Sequence, residues 1–266
     1  MNKPKVLIFS GFGINSEEET KVGFDLAGGE SDIVHINDLI NKKFKINDYQ
    51  ILVFPGGFAY GDDTGAGLAY ANKVKNHLWS DLEKFIKNKN LVIGICNGFQ
   101  IIVNLGLLPA LNFKYGKREV ALLHNKTARY VCRWVDVKVT NNSPWLKDLD
   151  EIPIVISHGE GKFFADEKTL KEIKQKKLIA LNYIKGEICN YQNLEYNPTG
   201  TLDDIAGITD ESGRILGLMP HPERAMFFTQ RPDWSLLKEK LKREGKKMPL
   251  YSPAIQIFKN AIDYFK

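Results

Sequence analysis

Short apolar runs alternate with amphipathic stretches along this chain, and they predict alternating strands and helices. Residues 5–9, 51–54 and 91–95 are apolar runs of the kind found in buried strands. Residues 17–27 and 67–87 instead repeat their apolar positions at helical spacing. This alternation with short turns predicts an α/β fold, a doubly wound and mostly parallel sheet flanked by helices, in which ligands bind at the carboxyl ends of strands.

The second half of the chain continues the pattern less regularly. It predicts strands at 32–36, 120–123, 129–140, 152–156 and 178–183, a hairpin of strands 204–209 and 214–218, and helices at 167–176 and 253–265. Residues 227–250 are polar and rich in Lys. We expect one domain over residues 1–266, with 227–250 as a polar insertion before the C-terminal helix.

The first predicted helix carries start and stop signals. Ser16 precedes it and Glu19 follows three residues later, a spacing that predicts a capping box in which the Ser16 side chain caps the helix. Gly28 and Gly29 then end the helix.

Composition narrows the class of protein. The 266 residues are 43% hydrophobic, which is enough for a substantial core. Basic residues exceed acidic ones by five, but only seven of the 37 are Arg, so nucleic-acid binding is not expected. The basic run at 238–247 is expected to be a solvated surface. The apolar runs are too short to span a bilayer and no signal segment begins the chain, so we expect a cytoplasmic protein with no membrane partner.

Three cysteines are widely spaced, at positions 96, 132 and 189. They form neither a CxxC metal motif nor an even set for disulfides, which favours a reducing compartment and predicts no metal site.

Cys96 lies where an apolar strand changes abruptly into a helix. The helical spacing of Ile101, Ile102 and Leu105 places the start of that helix near Asn97, directly after the cysteine. Glycines two residues away on each side permit a tight turn, as in a nucleophile elbow, and a helix N-terminus favours the thiolate. The alternative is a small buried hydrophobic Cys, which would not need those glycines.

His221 and Glu223 are the predicted partners of Cys96. Met219 and His221 each precede a proline, which favours extended backbone, so side chains two apart face the same way. A carboxylate that orients an imidazole, which in turn stabilises a thiolate, forms a catalytic triad. The alternative for His221 is an ordinary His with a local hydrogen bond.

The loop Pro55-Gly56-Gly57-Phe58 through Asp63 follows the third strand. Its glycines allow close approach of backbone to a ligand and can direct N–H groups at an anion, although such a loop can also be only a turn. It lacks the Gly-Lys-Ser/Thr ending of a phosphate-binding loop, and no other segment resembles an ATP site.

Taken in order, four motifs resemble those of the class I, triad-type glutamine amidotransferases, which have a flavodoxin-like fold. In chain order they are residues 55–58 with Tyr60-Gly61-Asp62, residues 94–100 with the cysteine, Ser157-His158-Gly159-Glu160-Gly161, and Pro220-His221-Pro222-Glu223-Arg224. The Cys-Asn-Gly elbow is similar to that of the glutamine-hydrolysing subunits of phosphoribosylformylglycinamidine synthases. Relatives in guanylate, anthranilate or carbamoyl phosphate synthesis commonly have Leu or Met and then Gly after the cysteine. One departure is Ser16, where the family usually has Cys.

The resemblance implies hydrolysis of the side-chain amide of L-glutamine through a cysteinyl thioester. It implies that Cys96, His221 and Glu223 are catalytic and that the backbone N–H groups of Gly57 and Asn97 form the oxyanion hole. It further implies that the substrate is held by Gln100, Ser157, His158 and Gly159, with no catalytic role for the His158 ring.

The resemblance also implies partners. Ammonia would pass by a shielded route to a large synthetase subunit of phosphoribosylformylglycinamidine synthase, with a small bridging subunit in the complex. That synthetase would convert formylglycinamide ribonucleotide to formylglycinamidine ribonucleotide in de novo purine biosynthesis. This chain itself is expected to bind no cofactor, with ATP and Mg on the partner.

Two alternatives remain open at this point. A glutaminase subunit could serve a different synthase, which only identification of the partner decides. A non-catalytic module with a cysteine on a similar elbow could sense oxidation or stress, but it would not need the His-Pro-Glu segment, and an assay of glutamate release would separate the two.

Overall fold

The computed structural model of this protein describes residues 3–266. The strands are β1 Lys5–Ser10, β2 Glu30–His35, β3 Ile51–Phe54, β4 Leu91–Ile95, β5 Ala121–His124, β6 Val131–Val139, β7 Glu151–His158, β8 Glu160–Phe164, β9 Ile179–Ile184, β10 Ile205–Thr209 and β11 Ile215–Leu218. Nine of them form one sheet in the order β2-β1-β3-β4-β11-β10-β9-β6-β7, and β5 pairs with β8.

Helices connect most of the strands. They are α1 Glu17–Leu26, α2 Ile36–Ile40, α3 Leu68–Lys87, α4 Asn97–Asn104, α5 Glu167–Gln175, α6 Glu187–Gln192, α7 Trp234–Arg243 and α8 Ile255–Asp263. Strands β3 and β4 are buried along their whole length, because helices cover both faces of the parallel half of the sheet.

Strand direction decides where a site can form. Strands β2, β1, β3, β4 and β11 are parallel neighbours, and the four remaining pairings are antiparallel. Followed across the sheet, only β10 and β6 run against the other seven strands. The carboxyl ends of β3, β4, β7 and β11 therefore lie at one edge, and the predicted α/β fold with a mostly parallel sheet is confirmed.

The antiparallel half of the sheet curls back toward the parallel half. Strand β7 is four places from β11 in the sheet, yet the N–H of His221, just beyond β11, donates to the carbonyl of Val155 in β7 at 2.7 Å. This closure brings the end of β7 to the end of β4, where Cys96 Sγ lies 3.7 Å from the carbonyl oxygen of Ser157.

Several local predictions were wrong. Ser16 is the N-cap residue of α1, but its side chain makes no capping bond, so the predicted capping box is absent. Its hydroxyl instead accepts a hydrogen bond from Arg224, which is distant in sequence. The short helices α2 and α6 and strand β8 were not predicted, because each is too short to show a clear periodicity and depends on tertiary contacts. Helix α7 was not predicted either, since 227–250 was interpreted only as a polar insertion.

The polar segment 227–250 is closed at its base. Phe227 pairs with Tyr251 in an isolated antiparallel bridge, and the N–H of Phe228 donates to the carbonyl of Leu250 at 3.1 Å. Helix α7 lies within this segment and has no fully buried residue. No helix within residues 3–266 combines the length and the apolar character that crossing a bilayer requires.

Candidate active site

Cys96 occupies a strained bend between β4 and α4. Its φ of 51° and ψ of −107° are unusual for a residue with a side chain, as expected for a nucleophile elbow. The bend depends on glycine: a Cβ on Gly98 would lie 1.7 Å from the carbonyl oxygen of Phe54, and one on Gly94 would lie 2.6 Å from that of Gly98. The elbow inferred from the sequence is therefore present, with the cysteine itself buried.

Strand pairing carries His221 to the cysteine. Gly94 pairs with Gly217 in the parallel register of β4 and β11, and the N–H of Cys96 donates to the carbonyl of Leu218 at 2.8 Å. His221 follows three residues later. The charge of its imidazole is coupled to that of Cys96, and its Nε2 is buried with no hydrogen-bond partner within residues 3–266. The structure thus brings Cys96 and His221 together, although they are 125 positions apart in the chain (221 − 96).

Glu223 completes the triad. Its Oε1 lies 2.5 Å from Nδ1 of His221, and both side chains are almost fully buried. Burial alone would lower the pKa of His221, but the charges of Glu223 and of a Cys96 thiolate outweigh it and raise that pKa to about 10. The imidazolium is therefore the stable form at neutral pH, which favours an ion pair with the thiolate.

The two N–H groups predicted to form the oxyanion hole, those of Asn97 and Gly57, lack a backbone partner. Asn97 is the first residue of α4, and the first N–H groups of a helix have no partner within it. Gly57 lies in the loop after β3, and its N–H meets no acceptor within residues 3–266. Its neighbours are well anchored, since the carbonyl of Gly56 accepts from the N–H groups of Asn15 and Ser16, at 3.1 Å each.

The side chain of Asn97 joins the elbow to the glycine-rich loop. Its Oδ1 accepts from the N–H of Ala59 at 2.9 Å, and its Nδ2 donates to Asp62 at 3.1 Å and to Gln100 at 2.7 Å. The sequence analysis assigned only the backbone of Asn97. The structure shows that its amide side chain ties the start of α4 to the loop that carries Gly57, which gives a physical reason for Asn after the cysteine.

Gln100 lies one turn beyond Cys96 and is buried. Its Oε1 is held by Asn97, and its Nε2 donates to the carbonyl of Glu160 at 2.5 Å. Two carboxylates stand close to it. Burial and the charge of Glu160 together raise the pKa of Asp62 to about 6, because the two like charges repel each other.

A cavity of about 230 Å³ opens beside these acidic groups. Gln100 and Glu160 line one side, and Arg118 and His124 add positive or titratable groups. The Glu160 side chain is 21% exposed and pairs with His124 at 3.4 Å. Glu160 and Asp62 were not predicted as site residues, although the motifs 157–161 and 60–62 contain them.

The segment Ser157-His158-Gly159 forms the far wall of the site. The carbonyl of Ser157 faces Cys96, while Asn125 holds the turn by donating to the carbonyl of His158 at 2.8 Å and accepting from the N–H of Gly161 at 3.2 Å. No sequence signal pointed to Asn125.

The His158 ring is packed rather than hydrogen-bonded. Both ring nitrogens are buried without a partner within residues 3–266, and a Cβ on Gly161 would lie 2.0 Å from the ring. Burial, with a smaller contribution from the charge of His221, lowers the pKa of His158 to about 3. The ring is therefore neutral at physiological pH.

Comparison with known proteins agrees with this arrangement. The sequence profile of the CobB/CobQ-like glutamine amidotransferase domain matches residues 3–265. The PurQ subunit of phosphoribosylformylglycinamidine synthase from Methanococcus maripaludis is 52% identical over 266 residues, which covers 98% of this chain and 97% of that protein. The PurQ subunit from Dehalococcoides mccartyi is 39% identical, with coverage of 96% and 98%.

A solved structure is similar over its full length. A chain of PurLQS from Thermotoga maritima superimposes with a TM-score of 0.70 at 28% identity and covers 100% of both chains. These findings confirm the predicted family and enzyme class and do not favour a redox-sensing module. The chain therefore belongs to the glutamine amidotransferase family, and within it to the PurQ subunits of phosphoribosylformylglycinamidine synthase.

Proposed function

We propose that this chain hydrolyses the side-chain amide of L-glutamine with Cys96, His221 and Glu223 and supplies the ammonia to a partner synthase. The observation that carries the proposal is the strained cysteine next to a buried imidazole–carboxylate pair, in a site where the N–H groups of Gly57 and Asn97 have no backbone partner. No other residues are needed to perform the chemistry of acyl transfer.

The first step is attack by the Cys96 thiolate on the amide carbon of glutamine. A C–S bond forms, and the carbonyl electrons move to oxygen. The N–H groups of Gly57 and Asn97 then stabilise the oxyanion, and each such donor typically contributes about 3 kcal/mol to the transition state. Because Asn97 begins α4 and the peptide before Gly57 is anchored through the Gly56 carbonyl, little reorganisation is needed when the charge develops.

His221 supplies the proton in the second step. Its imidazolium protonates the amide nitrogen, the C–N bond breaks, and ammonia leaves while a γ-glutamyl thioester remains on Cys96. The neutral imidazole then takes a proton from water as that water attacks the thioester. Glutamate is released, and the thiolate–imidazolium pair is restored with Glu223 still orienting the ring.

The amino-acid end of glutamine is bound by Gln100 and by the backbone of Ser157, His158 and Gly159 in this proposal. Asp62 accepts from Asn97, which also holds Gln100, and Glu160 lines the same cavity as Gln100. Their carboxylates give this end of the site a negative charge, which suits the α-ammonium group of glutamine.

The reaction that consumes the ammonia takes place on another polypeptide. This chain carries no phosphate-binding loop signature, while the names of its relatives describe a synthase subunit and the similar Thermotoga structure is of a PurLQS assembly. The proposed partner is the large synthetase subunit, which would bind ATP and Mg and convert formylglycinamide ribonucleotide to its amidine in purine biosynthesis. A small bridging subunit and a cytoplasmic location belong to the same proposal.

Glutamate release and trapping of the sulfur test the catalytic assignment. Cys132 is exposed, so a Cys132→Ser background removes a competing thiol. A diazoketone analogue of glutamine should label this background protein once, at Cys96, and Cys96→Ala should neither be labelled nor release glutamate. Undiminished glutamate release by Cys96→Ala would overturn the proposal.

The partner is tested separately. The protein is mixed with the synthetase subunits, ATP, Mg and the ribonucleotide, and the amidine product is measured with glutamine or with ammonium salt as nitrogen donor. We expect Cys96→Ala to abolish the glutamine-dependent reaction and to leave the ammonium-dependent one. Efficient glutamine-dependent turnover with a different synthase, and none with this one, would favour a glutaminase subunit for another pathway.

A further inference from the structure

Arg224 links the catalytic turn to the N-terminal turn of the protein. Its Nη2 donates to Oγ of Ser16 at 2.8 Å, and its Nε lies 3.8 Å from Oε1 of Glu223. The guanidinium is about one third exposed, but the hydroxyl that it binds is fully buried. One side chain therefore contacts both the triad carboxylate and a residue 208 positions away.

Ser16 is in turn tied to the glycine-rich loop. Its N–H and that of Asn15 both donate to the carbonyl of Gly56, at 3.1 Å each. The carbonyl of Ser16 accepts from the hydroxyl of Thr20 at 2.6 Å, which anchors the turn to α1. Ser16 thus stands between the guanidinium on one side and the peptide that precedes Gly57 on the other.

The geometry of this peptide matters for the oxyanion hole. In a trans peptide the C=O of Gly56 and the N–H of Gly57 point in opposite directions in one plane. The two bonds that hold the Gly56 carbonyl therefore also set the direction of the Gly57 N–H. A Cβ on Gly56 would lie 2.7 Å from Cε1 of His221 and 3.2 Å from Oγ of Ser16, so the three residues meet closely.

We propose that Ser16 and Arg224 are positioning residues that hold the Gly56–Gly57 peptide and the His221–Glu223 pair at a fixed separation. Neither residue contacts the reacting atoms. A charge-assisted bond between a guanidinium and a buried hydroxyl is stronger and more directional than a neutral one. The inference rests on the proposed function, because only a glutaminase needs a fixed distance between the Gly56–Gly57 peptide and the His221–Glu223 pair.

The test begins with Ser16→Ala and Arg224→Lys in the Cys132→Ser background. The first removes the acceptor, and the second keeps the positive charge but loses the planar fork that reaches both partners. We expect each to lower kcat for glutamate release about tenfold, because small displacements of catalytic groups are costly. KM for glutamine should change less than twofold. The double variant should be no slower than the worse single one, since both break the same bridge.

A second readout separates positioning from general damage. Alkylation of Cys96 by iodoacetamide needs the thiolate but no oxyanion hole, so Ser16→Ala should react at the rate of the parent protein. Ser16→Cys should give an intermediate kcat, because a thiol is a weaker acceptor of the Arg224 hydrogen bond. Ser235→Ala and Arg243→Lys are the matched controls on exposed α7 and should behave as the parent protein.

Two results would overturn the inference. Parental kcat in Ser16→Ala and Arg224→Lys, with Cys96→Ala inactive, would refute the bridge and leave the proposed function standing. Parallel losses of kcat, alkylation rate and melting temperature would show that the pair serves folding only. Full glutamate release by Cys96→Ala would instead refute the proposed function itself.

Discussion

The imidazole of His221 shows how neighbours rather than residue type set chemistry. A buried histidine is normally neutral, and His158 in the same site follows that rule with a pKa lowered to about 3. His221 is equally buried, yet the charges of Glu223 and the Cys96 thiolate raise its pKa to about 10. Two buried histidines of the same site therefore have opposite protonation states at neutral pH.

Glu223→Gln tests the electrostatic part of this assignment. Without the carboxylate, the pKa of His221 should fall toward its ordinary value, so the alkaline limb of the pH profile should move to lower pH. We expect kcat for glutamate release to fall roughly 100-fold, the lower end of the range for acid–base catalysis. Glu239→Gln on exposed α7 is the control. An unchanged pH profile would contradict the role given to Glu223.

The variant Asp62→Asn tests, through its melting temperature, whether the Asp62 carboxylate is buried close to that of Glu160. The pKa of Asp62 is raised to about 6 by burial and by Glu160, so its charged form opposes folding above that pH. Stability from this group should rise as pH falls through about 6. The variant should therefore melt at a higher temperature than the parent at pH 7.5, with the difference shrinking by pH 4. Asp63→Asn, at the exposed neighbouring position, should show no such trend.

At the scale of elements, the site depends on close approach between β3, β4 and α4. The elbow places the first turn of α4 against the end of β3, so that no side chain fits at Gly98. The same contact sets Asn97 beside the glycine-rich loop, where its amide bonds to Ala59 and Asp62. Helix α4 thus positions the N–H of Asn97 directly, and it supports the loop that carries the Gly57 N–H through the Asn97 side chain.

Gly98→Ala should disrupt this arrangement. The added Cβ would lie 1.7 Å from a backbone oxygen, which only backbone movement can relieve, so we expect a loss of about 3 kcal/mol or more. Gly245→Ala is the control, because its Cβ would meet nothing within 4 Å. Its left-handed φ should cost only about 1 kcal/mol. Urea unfolding and glutamate release measure both variants, and equal losses would contradict the steric argument.

At the scale of the molecule, distant segments converge on one edge of the sheet. The N-terminal turn, the loop after β3, the elbow, the end of β7 and the turn after β11 meet there. Helix α8 supports this arrangement from behind: Phe258 is fully buried and packs edge-on against Phe24 of α1, with ring centroids 5.0 Å apart. Gly23 leaves room for that ring.

Phe258→Ala should therefore destabilise the whole domain. Truncation of a fully buried Phe typically costs about 3 to 5 kcal/mol. We expect a lower urea midpoint with an unchanged slope, as for a single domain that unfolds in one step. Phe113→Ala is a suitable control, since Phe113 is 56% exposed and should change stability by less than about 1 kcal/mol. Similar midpoints for the two variants would contradict the supporting role of α8.

The order of elements was readable because long buried strands and amphipathic helices carry strong periodic signals. Strand β3 was predicted at its observed bounds, and α3 within one residue. The capping box at Ser16 was wrong for a physical reason, because a hydroxyl can satisfy a helix or a distant guanidinium, and local spacing cannot tell which. Strand β8 went unnoticed because it is stable only when paired with β5.

Three features could be predicted from local sequence alone: the α/β alternation, the glycine-dependent elbow at Cys96 and the extended segment that sets His221 beside Glu223. These features depend on residues close together in the chain, where backbone preference and periodicity act directly. Three other features follow from long-range packing: the sheet curls until β7 meets the segment after β11, Asn97 and Arg224 tie separate segments together, and Asp62 faces Glu160. Such contacts join residues from distant segments, and no local preference encodes them, because they form only when the packed sheet brings those segments to one edge.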